Sequence, residues 1–142
     1  MRGFCSIFGV VFLLVGCAGP ARLEYQVWEK KQETPDDIKK ALLECGSFNP
    51  FNYSTWPVSK NFSEVSSAEG YERAVRVSLC MLESGYQSVS RFRFVCDTKS
   101  GKDVQACKPE NAHLIPRRDP SVRLNSAYCK HPIYSTYPAC QP

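Results

Sequence analysis

Cysteine is the residue type in this chain with the most chemistry open to it. Eight are spread over 142 residues, at positions 5, 17, 45, 80, 96, 107, 129 and 140. A cysteine can serve as a nucleophile, a metal ligand, an attachment point for lipid or half of a disulfide. A Cys–His nucleophile needs a free thiolate, and structural zinc sites favour Cys-x-x-Cys pairs. The chain has no such pair, and His113 and His131 do not form a ligand-spaced pair. Cys129 and His131, two apart, come nearest to a metal signal. Gly-x-Ser-x-Gly is absent, and the eight glycines are too scattered for a phosphate loop. The acidic pairs Asp36/Asp37 and Glu69/Glu72 fit helix starts. No catalytic residue, metal ligand or cofactor is therefore assigned. A glycan hydrolase built on carboxylates leaves little trace in sequence and is the remaining enzymatic alternative.

The first two cysteines belong to a different setting from the rest. Arg2 precedes an apolar run of about twelve residues, Phe4 to Val15, where a spanning helix needs ~20. The run reads as the core of an export signal. It ends in Leu14-Val15-Gly16-Cys17, which resembles the lipobox of bacterial lipoprotein precursors. The resemblance implies removal of residues 1–16, a diacylglycerol thioether on Cys17 and acylation of its new amine, with palmitate as a typical chain. One acyl chain anchors only marginally, and two or three make the attachment durable. An ordinary signal peptidase would cut after Ala18-Gly19, directly before Pro20, which such sites disfavour. By the same resemblance, Ala18 in place of Asp after the anchor implies the outer membrane of the cell envelope.

Setting aside Cys5 and the lipidated Cys17 leaves Cys45, Cys80, Cys96, Cys107, Cys129 and Cys140. An even remainder in an exported chain is what a disulfide framework requires. Six cysteines allow fifteen connectivities. Equal gaps of ten residues favour Cys96–Cys107 and Cys129–Cys140, and Cys45 and Cys80, each near a helix end, make the third pair.

These cysteines need elements to hold them. The expected organisation is a signal segment (1–16), a lipidated tether (17–26) and one disulfide-rich domain (27–142). Thr34 is a candidate N-cap, followed by Pro35 and Asp36-Asp37. Ile38, Ala41, Leu42 and Cys45 then share one helical face, and Gly46 stops the helix. A second helix is expected from Ser66, with Glu69 completing a capping box. Tyr71, Val75, Ser78, Leu79 and Leu82 form its main face, while Val77 and Cys80 call for contacts on another side. Gly85 ends it, with Tyr86 placed to fold back on Met81. The fold class is mainly α: a helical hairpin (about 35–45 and 67–84), then an irregular, disulfide-stapled half with at most a short strand near 89–95.

Trp28, the stretch Glu44-Cys45-Gly46 and the stretch Cys80-Met81-Leu82-Glu83-Ser84-Gly85-Tyr86 resemble a recurrent group of small bacterial lipoproteins. The resemblance covers roughly residues 28–86. It implies an envelope location and a cross-linked helix pair, and it brings no catalytic motif.

Two regions are candidate contact surfaces. Residues 47–62 carry Phe48, Phe51, Tyr53, Trp56 and Phe62; of these Phe51, Tyr53 and Trp56 are partner-binding candidates, although aromatics covering a thin core is the favoured reading. Charge is uneven, with eight basic and ten acidic residues in 18–86 against nine basic and four acidic in 87–142. Arg91, Arg93, Arg117, Arg118 and Arg123 supply most of the excess. The expected partners are the membrane, through the Cys17 lipid, and an envelope or host protein or an anionic envelope polymer, with no nucleic acid. The leading function is a non-catalytic interaction or structural module. An inhibitor or a phage superinfection-exclusion factor is the alternative.

Overall fold

The computed structural model describes residues 23–51, 67–89 and 95–142. Helix α1 (Pro35–Glu44) begins at a reciprocal cap. The Asp37 amide donates to the Thr34 hydroxyl at 3.2 Å, and the Thr34 amide donates to the Asp37 carboxylate at 2.9 Å. The Thr34 hydroxyl also donates to the Asp37 carboxylate at 2.6 Å, and this bond, with the one from the Thr34 amide, holds the Asp37 carboxyl below its ordinary range. The expected face of Ile38, Ala41, Leu42 and Cys45 is buried. Leu43 and Glu44 are buried too, so the last turn of α1 is enclosed on every side.

Helix α2 (Ser67–Glu83) ends in the same way as α1. Gly46 and Gly85 have φ of 89° and 82°, where a side chain would be strained. At α1 the Gly46 amide donates to Leu43 O and the Ser47 amide to Leu42 O. At α2 the Gly85 amide donates to Leu82 O and the Tyr86 amide to Met81 O. Both are complete Schellman motifs, and Tyr86 packs in the same cluster as Met81. The N-cap expected at Ser66 lies outside the described residues.

The burial of α2 corrects one expectation. Tyr71 and Leu82, placed by periodicity on its main apolar face, are exposed. Val75 is buried on one side against Val104 and Ala106. Val77, Cys80 and Met81 are buried on the other, against α1. Tyr71 and Leu82 lie outside the apolar cluster that Val75 and Leu79 form with Val104 and Ala106.

Strands β1 (Trp28–Glu29) and β2 (Gln87–Ser88) pair antiparallel, with Trp28 opposite Ser88. The Val89 amide extends the ladder to Val27 O at 2.8 Å. The strand therefore lies just ahead of the expected 89–95 stretch. The Schellman turn at Gly85 and Tyr86 is followed directly by β2, which pairs along Trp28 and Glu29. Residues 90–94 lie outside the described residues, and Val95–Asp97 is a 3-10 turn.

The C-terminal half resolves into short helical pieces. After 3-10 turns at Lys99–Asp103, Gln105–Cys107 and Pro109–Leu114 come α3 (Pro120–Asn125), α4 (Ala127–Lys130) and a turn at Pro138–Cys140. Pro109, Pro120 and Pro138 open their pieces, where a missing N–H costs nothing. Asp119 caps α3 through the Ser121 amide, and Ser126 caps α4 through the Cys129 amide.

Among the described residues the buried apolar side chains form three clusters, and each has a disulfide in it or packed against it. Cys45–Cys80 lies in the core between α1, α2 and β1. Cys129–Cys140 lies with Leu43, Tyr128 and Ala139. Cys96–Cys107 flanks Val75, Val104 and Ala106. Cys45 is the C-cap of α1 and Cys80 is in the last turn of α2, so the bond joins the C-terminal ends of both helices. All six cysteines among the described residues are disulfide-bonded, Cys129 included. On the chain-entropy model, replacing the pair 35 residues apart with alanine costs about 4 kcal/mol, against about 3 for either pair 11 apart. Urea denaturation of the three double variants checks this order, and equal losses would contradict it.

Candidate functional site

The strongest polar constellation in the fold is one that sequence reasoning did not single out. Glu44, in the last turn of α1, is only 4% exposed. Its carboxylate accepts from Arg118 Nε at 2.7 Å and from Arg123 Nε at 3.0 Å. Arg123 Nη1 also donates to the carbonyls of Ala139 and Gln141. Arg118 Nη1 reaches the Tyr86 hydroxyl at 3.3 Å. The site ties α1, α3, the C-terminal turn and the end of α2 together. A signal for it exists in the sequence. A carboxylate at the C-terminal end of a helix opposes the helix dipole, and α1 has no basic residue in its last turn. Such a group demands cations from elsewhere.

This arrangement changes the place of the arginines offered as contact residues. Arg123 is 3% exposed and belongs to the interior. Arg118 has its head on Glu44, and Arg117 is exposed. Arg91 and Arg93 lie outside the described residues. The basic excess of the second half is thus partly spent on Glu44, and the five arginines do not form one described patch. The carboxylate of Glu72 likewise has a partner, accepting from the Gln105 and Ala106 amides and so fixing the 3-10 turn beside α2.

Of the aromatic candidates, Phe51 is half-buried, and Tyr53 and Trp56 lie outside the described residues. Phe51 meets Tyr25 edge-on at 5.7 Å and Tyr128 at 6.4 Å. Lys39 Nζ sits over both Tyr25 and Phe51, at 4.7 and 5.2 Å. Arg73 covers the Phe48 ring at 4.2 Å. At its described start, the aromatic segment covers the core. The ladder continues from Tyr128 to Tyr134, stacked at 4.5 Å, and on to Tyr137 at 5.6 Å. Burial, with Tyr134 and Tyr137 alongside, pushes the Tyr128 hydroxyl up to about 12.

An open hollow of about 520 Å³ is lined by Glu29, Lys30, Lys31, Gly85 and Gln87. Lys30, its most constrained cation, donates to Ser84 O at 3.1 Å and lies over the Tyr86 ring. Among the described residues no group of three or more His, Cys, Asp or Glu could hold a metal ion.

Cys17 and Leu14-Val15-Gly16 lie outside the described residues, but the chain that leads from them is visible at its far end. Of the residues expected in the tether, Glu24 is buried, Tyr25 is half-buried and Gln26 is exposed. Glu24–Val27 is a 3-10 turn whose Glu24 and Tyr25 amides donate to Phe51 O and Pro50 O at 3.1 Å. The Glu24 carboxyl is buried, with the Ser47 hydroxyl as its hydrogen-bonding neighbour. Burial raises it from 4.5 to about 8, only partly offset by Ser47.

Removing one partner of a buried ion pair costs about 3–5 kcal/mol. Arg123→Met is therefore expected to destabilise by that order in urea denaturation, with Arg117→Met within about 0.5 kcal/mol of the parent. For Glu24 the folded state holds a proton that the unfolded state has lost between pH 4.5 and about 8. Stability from this group is complete below pH 4.5 and is lost as pH rises through 8, by up to about 1.4 kcal/mol per unit. Glu24→Gln should flatten that decline in melting curves between pH 5 and 8; an unchanged slope would contradict it. Compared with protein-family models, curated proteins and solved structures, the chain matches none of them.

Proposed function

We propose that this protein is a lipid-anchored lipoprotein of the bacterial cell envelope, acting without catalysis as an interaction or structural module. The observation that carries the reading is Leu14-Val15-Gly16-Cys17 at the end of a short apolar run. Cys17 is the acylated residue, and residues 1–16 are removed. The outer membrane is the destination, by the Ala18 rule. The resemblance of residues 28–86 to small bacterial lipoproteins supports the same location.

Chemistry elsewhere in the chain agrees with export. Once Cys5 and Cys17 are assigned to signal and anchor, every remaining cysteine has a disulfide partner. Disulfides persist in oxidising compartments such as the periplasm and the cell surface. No helix among the described residues is long and apolar enough to cross a membrane, and the anchor reading requires none. The partner is an envelope or host protein, or an anionic envelope polymer.

Metabolic labelling with a palmitate analogue tests the anchor. The parent chain should take up label, and Cys17→Ser should take up none and keep its first sixteen residues. Labelling that persists in Cys17→Ser would overturn the reading.

A further inference from the structure

We propose that the disulfide-closed loop from Cys129 to Cys140 docks the domain on a lipid bilayer surface, with Ile133 at the inserting tip. Ile133 is 62% exposed, the most exposed of the large apolar side chains described, and Tyr137 is 40% exposed. Both sit in a loop that is already ordered. The Tyr134 and Ser135 amides donate to His131 O, and the Tyr137 amide donates to Tyr134 O. Gln141 Nε2 fastens Ser135 O at 2.7 Å. Tyr134 is stacked on Tyr128 and met edge-on by Tyr137. A preformed apolar tip loses little conformational freedom on insertion.

The chemistry around the tip favours a lipid interface. Tyrosine rings place an apolar body against acyl chains and a hydroxyl among headgroups. Lys130 and His131 precede the tip, and no acidic side chain occurs from Pro120 to Pro142. Such a loop meets anionic headgroups without repulsion.

Geometry supplies the second argument, and it rests on the anchor reading above. The ring ladder runs from Tyr134 through Tyr128 and Phe51 to Tyr25, where the chain leaves toward Cys17. Positions 17 and 23 are six residues apart, a span of at most about 20 Å. The exposed Leu23 lies at this end of the ladder. An anchored domain therefore keeps the loop within reach of the bilayer, where high effective concentration lets a weak contact suffice.

The test uses the full acylated protein in vesicles of phosphatidylethanolamine and phosphatidylglycerol with brominated acyl chains. Ile133→Trp is compared with Tyr71→Trp, an exposed position on α2, after subtraction of the parent's own emission. The expected result is blue-shifted emission and several-fold stronger quenching for Ile133→Trp. Equal quenching of the two variants, with both folded by melting curve, overturns the proposal. Intact mass on the same samples separates the two readings. Lipid on Cys17 without quenching defeats the docking loop alone, and quenching without lipid defeats the anchor while the loop stands.

Discussion

The Glu44 carboxylate is the constraint on which the domain's arrangement turns. It is buried at the end of a helix whose dipole disfavours it, so it is tolerable only with cations beside it. Arg118 and Arg123 supply them from a segment over seventy residues away. Arg123 then holds the carbonyls of Ala139 and Gln141. Through one side chain, the C-terminal turn, α3 and the end of α1 acquire fixed positions. This is also where two apolar cores meet, since Leu42 belongs to one and Leu43 to the other.

That ion network explains why a thin domain can be specific. Among the described residues the buried apolar clusters hold ten, five and three residues. Disulfides restrict the unfolded chain but leave the relative placement of the pieces loosely determined. The carboxylate with its two arginines fixes that placement by joining the end of α1 to Arg118, to α3 and to the C-terminal turn. Glu72 does the same on a smaller scale for the 3-10 turn at Gln105–Cys107. Charges counted as a surface excess are in part internal fasteners, which leaves less basic surface for an anionic partner than the count of arginines suggests.

The local signals in the sequence were legible where a short-range rule governs them. The Thr34 cap, the Gly46 and Gly85 stops and the Cys pairs at equal spacing all depend on residues close in sequence. The outward position of Tyr71 and Leu82 was not legible, because periodicity reports which residues share a face and not whether a partner covers it. The second half was expected to be irregular, yet three of its prolines start helical turns, since the fixed φ of proline suits the first helical position as well as a loop. The packed turn at Glu24–Val27 was missed for a similar reason. Its bonds go to Pro50 and Phe51, which no local pattern connects to it.

By itself the sequence determined which residues could form caps, stops and cross-links, and which cysteines were left to pair once Cys5 and Cys17 were set aside. Those outcomes follow from backbone sterics and from counting, and they need no knowledge of what lies across the fold. Only the tertiary structure decided that Arg123 faces inward, that Glu24 is buried and that Ile133 stands out from a closed loop. Burial is a property of neighbours brought together from distant positions, and a charge or a methyl group reads the same in sequence on either side of that boundary.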